Sequence, residues 1–240
     1  MNYLIKPNLP ENDVTLCIAD ADISGMEVIK PPVISALPSV LQKHADLGIC
    51  IISAKKAVCP PESCAYYESA LSPYGFEIIC GKSSVGCNYP DDCAYNVGIA
   101  GNKCFLNKDV CDKVLYEILI SEGYQILHTK QGYAKCSVCP VDENSFITAD
   151  PSIAKAGISI GMDVLLITNE SIELSGYSYG FFGGCCGLSG KHKLLVNGEI
   201  ETHPDNERIK KFLSKKEIEI KSLRKGKLLD IGSILPLLTI

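Results

Sequence analysis

Cys136 and Cys139 form a C-x-x-C pair, and Cys185 and Cys186 are adjacent, so four thiols stand where chemistry is conceivable. Closely spaced thiols ligate zinc or an iron–sulfur cluster, exchange disulfides, or supply a nucleophile. Read as one extended segment, GYAKCSVC turns Cys136 and Cys139 to opposite faces. They would then share a metal only if the chain turned between them, and Ser137-Val138 carries no turn signal. No metal and no cofactor is therefore expected. Gly176 to Gly180, GYSYG, fits the G-x-S-x-G nucleophile elbow, but FFGGCCGLSGKH leads on toward a strand instead of opening a helix, and the match reads as accidental. The same glycines make a poor phosphate cradle for the same reason. Asp92 and Asp230 each read alone as turn or capping residues. If the chain closes on itself, both lie on segments that line its axis, and two acids facing one pocket favour a cation. Of the histidines, His203 beside Pro204 reads as the start of a helix and His192 as a surface strand residue. His44 and His128 have no acid or nucleophile near them in sequence.

The composition narrows the partners. The sequence has 240 residues, 46% hydrophobic and 21% charged, with a formal net charge of -5. A mild acidity without a basic stripe argues against nucleic acid. No apolar run is long enough to span a membrane, and MNYLIKPNLPENDVTL turns polar too soon for a signal peptide. A cytoplasmic protein is the expectation, and the oligomeric state is not legible. The thirteen cysteines are then mostly reduced core residues, as in LCIAD, GICIIS and FEIIC.

The elements that must position these residues recur. Asp109 is expected to cap a helix with Val110, Val114, Leu115, Ile118 and Leu119 on its apolar face and Gly123 at its stop. The strand YQILHT follows, then GYAKCSVC, a polar turn, the strand Phe146 to Thr148, and a Pro151-started helix interrupted by Gly157. The strand MDVLLIT, the segment GYSYGFFGGCCG, the strand HKLLVNGEI, a helix started by Pro204, and the strand IEIKSL repeat that grammar. The closing glycines Gly132, Gly176 and Gly226 lie 44 and 50 residues apart by subtraction. Earlier, VTLCIADADIS, GICIISAKK and YGFEIIC read as strands, PPESCAYYESAL as a helix, and PPVISALPSVLQKH as a short helix limited by Pro38. Two strands flank Ala100-Gly101-Asn102. Three units are legible and the N-terminal third has room for two degenerate ones. Such units bury a core only by packing radially or stacking, with their glycine-relaxed closing segments near a shared axis.

These segments, above all NYPDDCAYNVGIAGNKCFLNKD, QGYAKCSVCPVDENSFITAD, GYSYGFFGGCCGLSGKHKLLVNGEI and LLDIGSILPL, resemble an uncharacterised bacterial branch of the pentein fold. That fold is the one of the guanidino-group-modifying enzymes: arginine deiminases, dimethylarginine dimethylaminohydrolases and amidinotransferases. The resemblance implies one α/β propeller over residues 1–240, with about five strand-helix repeats around a pseudo-fivefold axis. In active members carboxylates hold a guanidinium in an axial channel, a C-terminal cysteine attacks its carbon, and a histidine serves as acid and base. By position, Asp92 matches a substrate-binding acid. Lys135 or Cys136 stands where the histidine is expected, and Leu229 and Asp230 stand where the cysteine is expected.

The sequence thus predicts a pentein-type protein that binds or hydrolyses a small cationic guanidine or amidine through Asp92 and Asp230, with Cys136 as a non-standard catalytic nucleophile. A catalytically silent binding module or scaffold is the alternative, and a cysteine-ligated metal protein a more distant one.

Overall fold

Wherever a short apolar strand, a tight turn, a second apolar strand and an amphipathic stretch succeed one another, the chain builds one small sheet. The computed structural model describes residues 2–240. In chain order the elements are β1 (Asn2–Tyr3), β2 (Val14–Ile18), β3 (Glu27–Ile29), α1 (Ala45–Gly48), β4 (Cys50–Ser53), β5 (Lys56–Cys59), α2 (Pro61–Leu71) and β6 (Glu77–Cys80). They continue with β7 (Gly98–Ala100), β8 (Lys103–Leu106), α3 (Lys113–Ser121), β9 (Gln125–His128), α4 (Ala134–Ser137), β10 (Cys139–Asp142), β11 (Ser145–Thr148), α5 (Pro151–Ser159) and β12 (Asp163–Leu166). The last are β13 (Cys186–Gly190), β14 (Lys193–Val196), α6 (Asn206–Ser214), β15 (Glu219–Ser222) and β16 (Leu235–Thr239).

Four sheets share one plan. The first strand pairs antiparallel with the second across a tight turn, and the second pairs parallel with the third, which the chain reaches through a helix. The fifth sheet is assembled from both ends of the chain, in the order β1-β16-β2-β3, with Leu235 opposite Ile18 and Thr239 opposite Val14. The N-terminal third therefore holds one complete repeat and most of a second that the C-terminal strand completes. The result is a five-bladed α/β propeller. Its core lies between neighbouring blades, as where Phe105 of β8 meets Phe146 of β11 at 4.9 Å between ring centroids.

Local chemistry explains the helices and corrects several expectations. Asp112, not Asp109, caps α3: one carboxylate oxygen accepts the N–H groups of Val114 and Leu115 while the other accepts those of Lys82 and Ser83. Asp150 caps α5 in the same way, and Gly157 does not interrupt that helix but lets it press on Phe146, whose ring a Cβ there would approach to 2.6 Å. Segment 31–44 forms no helix. Its prolines break it into turns that still bury Ile34, Leu37 and Leu41 and leave Val33 exposed. GICIISAKK is not one strand, because Ala54-Lys55 makes a hairpin turn into β5. His203 does organise the start of α6, donating from Nε2 to the Thr168 carbonyl and accepting from the Asp205 N–H at Nδ1, so that the helix begins at Asn206, two residues beyond Pro204.

GYAKCSVC is not extended throughout. It forms the single turn α4 before β10, so Cys136 sits on a helix turn and Cys139 on a strand. No group of three or more His, Cys, Asp or Glu side chains that could hold a metal is present among the described residues. Of the eleven free thiols nine are buried, in keeping with their reading as core residues, but Cys64 and Cys80 are joined in a disulfide and depart from it. Among the described residues no helix is long and apolar enough to cross a membrane.

The closing segments do gather at the axis, and glycines are the reason they can. A Cβ on Gly183 would lie 2.6 Å from the carbonyl oxygens of Cys136 and Val138 and 2.7 Å from that of Lys135. All three are backbone atoms with no freedom to move aside. Gly183→Ala is therefore expected to lower the unfolding free energy by about 3 kcal/mol, the upper end for overpacking. Gly25→Ala, with open space and a φ of +82°, should lose only about 1–2 kcal/mol of stability, through the backbone strain it introduces. Urea denaturation of both variants measures the difference.

Candidate functional site

Where each blade's first strand approaches the axis, the residues just before it form a tight turn whose side chains face the neighbouring turns. His44, Asp92 and Tyr133 hold the same place in their repeats, six residues before β4, β7 and β10 respectively. Asp230 comes five before β16. The chain order hides this arrangement and the repeat reveals it.

At the centre lies a buried polar network contributed by four blades. Asn96 accepts the N–H groups of Lys135 and Cys136 at its Oδ1 and donates from Nδ2 to the Asp46 carbonyl and the Cys136 sulfur, which fills its hydrogen-bonding capacity. The Cys136 thiol donates to Asp46 Oδ2 at 3.2 Å. Ser233 donates to the same oxygen at 2.5 Å and accepts from the Lys135 ammonium at 3.0 Å. Asp46 and Lys135 are 1% and 6% exposed, so two opposite charges are buried at the axis and linked through one hydroxyl. The other oxygen of Asp46 has no hydrogen-bond partner.

Above this network opens a cavity of about 260 Å³ lined by His44, Tyr133, Cys136, Phe181 and Asp230, with leucines and further tyrosines at its rim. Asp230 forms its acidic wall. Its carboxylate accepts the N–H groups of Phe181 at 2.8 Å and Gly232 at 3.0 Å, and lies 3.8 Å from His44 Nδ1. Glycine permits that approach, since a Cβ on Gly184 would fall 2.1 Å from the carboxylate and one on Gly232, at φ +74°, 2.3 Å from His44 Cα. Burial pushes the Asp230 pKa up, against the pull of His44, and the nearby Asp46 adds to the rise. Tyr133 donates to Asp92 Oδ2 at 2.5 Å. Burial raises the pKa of both groups, and the Asp92 carboxylate raises that of the tyrosine further.

Of the residues expected from sequence, Cys136 and Asp230 come together on the cavity wall. Asp92 stands one layer back, behind Tyr133, and its second oxygen also lacks a partner. His44, Asp46, Asn96 and Ser233 were not foreseen. Their side-chain partners lie at least 39 residues away in sequence, and the repeat position that His44 shares with Asp92 is the one signal that points to it. Tyr89, Tyr133, Phe181 and Tyr179 form a run of rings with centroids 5.5 to 6.0 Å apart along the mouth. No lysine or arginine lines the cavity among the described residues.

Burial, with Asp46 and Asp230 beside it, drives the Cys136 thiol pKa well above its ordinary value. An acid on either side favours the thiol over the thiolate, which is the reverse of the electropositive setting that activates cysteine. Within this network the Cys136 thiol acts as a hydrogen-bond donor to Asp46.

Residues 18–235 match the model of a family of unknown function (DUF6873). No functionally curated protein matches the chain by sequence. Among solved structures, the inosamine-phosphate amidinotransferase of Streptomyces griseus aligns with a TM-score of 0.56 at 10% identity, over 92% of this chain and 91% of that one. The DDAH of Pseudomonas aeruginosa, solved with citrulline, aligns at 0.55 and 9% identity over 88% and 92% of the two chains. The agmatine deiminase of C. jejuni aligns at 0.52 and 14% identity over 88% and 76%. These likenesses, with the five blades, establish the pentein fold.

The state of the thiol has a direct consequence. In the ligand-free protein at neutral pH, iodoacetamide should alkylate the exposed Cys87 well before Cys136, and Asp46→Asn should speed labelling of Cys136 by removing an acceptor and a charge. Mass-spectrometric mapping of a labelling time course reads both rates. Equal labelling of Cys87 and Cys136 in the native protein would contradict the protonated, shielded thiol.

Proposed function

Because the chain belongs to the DUF6873 family and has the pentein fold, we propose that its axial pocket binds a small organic cation of the guanidine or amidine class. The observation that carries this reading is Asp230, a buried carboxylate set in an otherwise apolar and aromatic wall. A planar cation placed there gains the carboxylate on one side and ring faces on the other, both strengthened by exclusion of water. Asp92 supports the site from behind by polarising Tyr133, and the unpartnered oxygens of Asp46 and Asp92 add negative potential.

The lining also favours one kind of cation. A ligand bearing a carboxylate of its own would meet no lysine or arginine in the wall, only Asp230 and His44. An alkylguanidinium with an uncharged tail suits the leucine and tyrosine rim better than a guanidino amino acid.

Cys136 enters chemistry only with the ligand present. A bound cation offsets Asp46 and Asp230 and draws the thiol pKa down, after which the thiolate can attack an amidine carbon with His44 on the same wall as acid and base. The burial and flanking carboxylates that push the Cys136 thiol pKa up favour the second reading, a binding module without turnover. Ammonia or amine release from butylguanidine, lost in Cys136→Ser, separates the two: release supports hydrolysis, and binding without release supports the module.

Calorimetric titration tests the shared claim. Butylguanidinium is expected to bind more tightly than arginine, and Asp230→Asn to weaken it at least tenfold, about 1.4 kcal/mol. Affinity should also fall as the pH drops through the raised pKa of Asp230, because a protonated carboxyl offers the cation no charge. Unchanged affinity in Asp230→Asn would contradict the proposal.

A further inference from the structure

One blade away from the axial cavity, three cysteines meet. Cys59 ends β5, Cys80 ends β6 as its register partner in the parallel ladder, and Cys64 lies in the first helical turns of α2. Cys64 and Cys80 are bonded to each other, with Cα atoms 5.8 Å apart. The Cys59 sulfur is nonetheless only 3.3 Å from that of Cys64. A free thiol thus rests in contact with the central atom of a disulfide, and the outer partner of that disulfide is exposed while the thiol is fully buried.

We infer that Cys59, Cys64 and Cys80 form a thiol–disulfide exchange site that moves one disulfide between the interior and the surface. The Cys59 sulfur attacks Cys64, the Cys59–Cys64 bond forms as the Cys64–Cys80 bond breaks, and Cys80 leaves as a thiolate. The proton lost by Cys59 is regained by Cys80, so the pair of bonding electrons is only relocated and no external oxidant is consumed. Cys64 is suited to the central position because its sulfur is bonded to Cys80 and at the same time in contact with Cys59. In one state the surface carries a disulfide sulfur open to attack by a small thiol. In the other it carries a free thiol, which a low-molecular-weight disulfide can cap as a mixed disulfide.

The exchange is slow by construction. Burial and then the Glu62 carboxylate push the Cys59 thiol up to about 12, and Tyr67 and Tyr95, the other titratable groups facing it, bring no positive charge. Its rate follows the small thiolate fraction and increases in alkaline buffer.

The test needs no prior ligand. Native, air-oxidised protein free of added thiol is incubated with N-ethylmaleimide in mildly alkaline buffer and its peptides are mapped without reduction. Two disulfides are expected, Cys64–Cys80 and Cys59–Cys64, with Cys80 alkylated only alongside the second. Cys59→Ser should retain the Cys64–Cys80 bond, which also reports that the blade is folded, and lose alkylation of Cys80. A wild-type map containing only Cys64–Cys80, or equal labelling of Cys80 in both proteins, would overturn the inference.

Discussion

The axis of this propeller is held by two opposite charges that meet only through a hydroxyl. Asp46 and Lys135 are both buried, and Ser233 stands between them, donating to one and accepting from the other. Burying such a pair is unfavourable unless its geometry satisfies both groups, and losing one partner strands the other charge, an outcome that costs about 3–5 kcal/mol. The three residues come from three different blades, so the pair is complete only when the ring is closed. Asn96, from a fourth blade, fixes the turn that carries Lys135 and Cys136 by accepting the N–H groups of those two residues. Closure, register of the axial turns and polarity of the axis are one constraint.

The cavity inherits its character from that constraint. Lys135 is turned inward to Ser233, and its positive charge is used there and not on the cavity wall. What remains facing the opening is Asp230, His44, the shielded Cys136, Phe181 and a fringe of tyrosines. Burial, and then Asp46 and Asp230, push the Cys136 thiol pKa up, the direction opposite to the one a cation bound beside those carboxylates would impose. On the proposed reading, ligand affinity and thiol reactivity are coupled with a fixed sign.

Much of the architecture was legible because it rests on local rules. The strand–helix alternation from Lys103 onward, the Pro-started α2 and α5, and the glycine stop after α3 follow from apolar spacing and capping chemistry, and the structure bears them out. The failures were local as well. Asp109 and Asp112 are both plausible caps, and what selects Asp112 is its second set of partners, Lys82 and Ser83, which the sequence does not announce. α4 is a single turn, too short to show a helical period, and it owes its start to Asn96, forty residues earlier. The site was half legible. Asp230 and Cys136 could be nominated on their segments, but His44 sits in a proline-broken stretch, and it meets Asp230 only because Gly232 and Gly184 let the last axial turn press against it. Side-chain partnerships created by ring closure are not encoded at short range.

The most direct measurement is a crystal structure of the protein soaked in butylguanidinium. The account predicts difference density for one planar cation in the axial cavity, its nitrogens within hydrogen-bond distance of the Asp230 carboxylate and its tail along the tyrosine rim. An axial cavity that stays closed to the ion at saturating concentration, or that admits it with its nitrogens turned away from Asp230, would contradict the account.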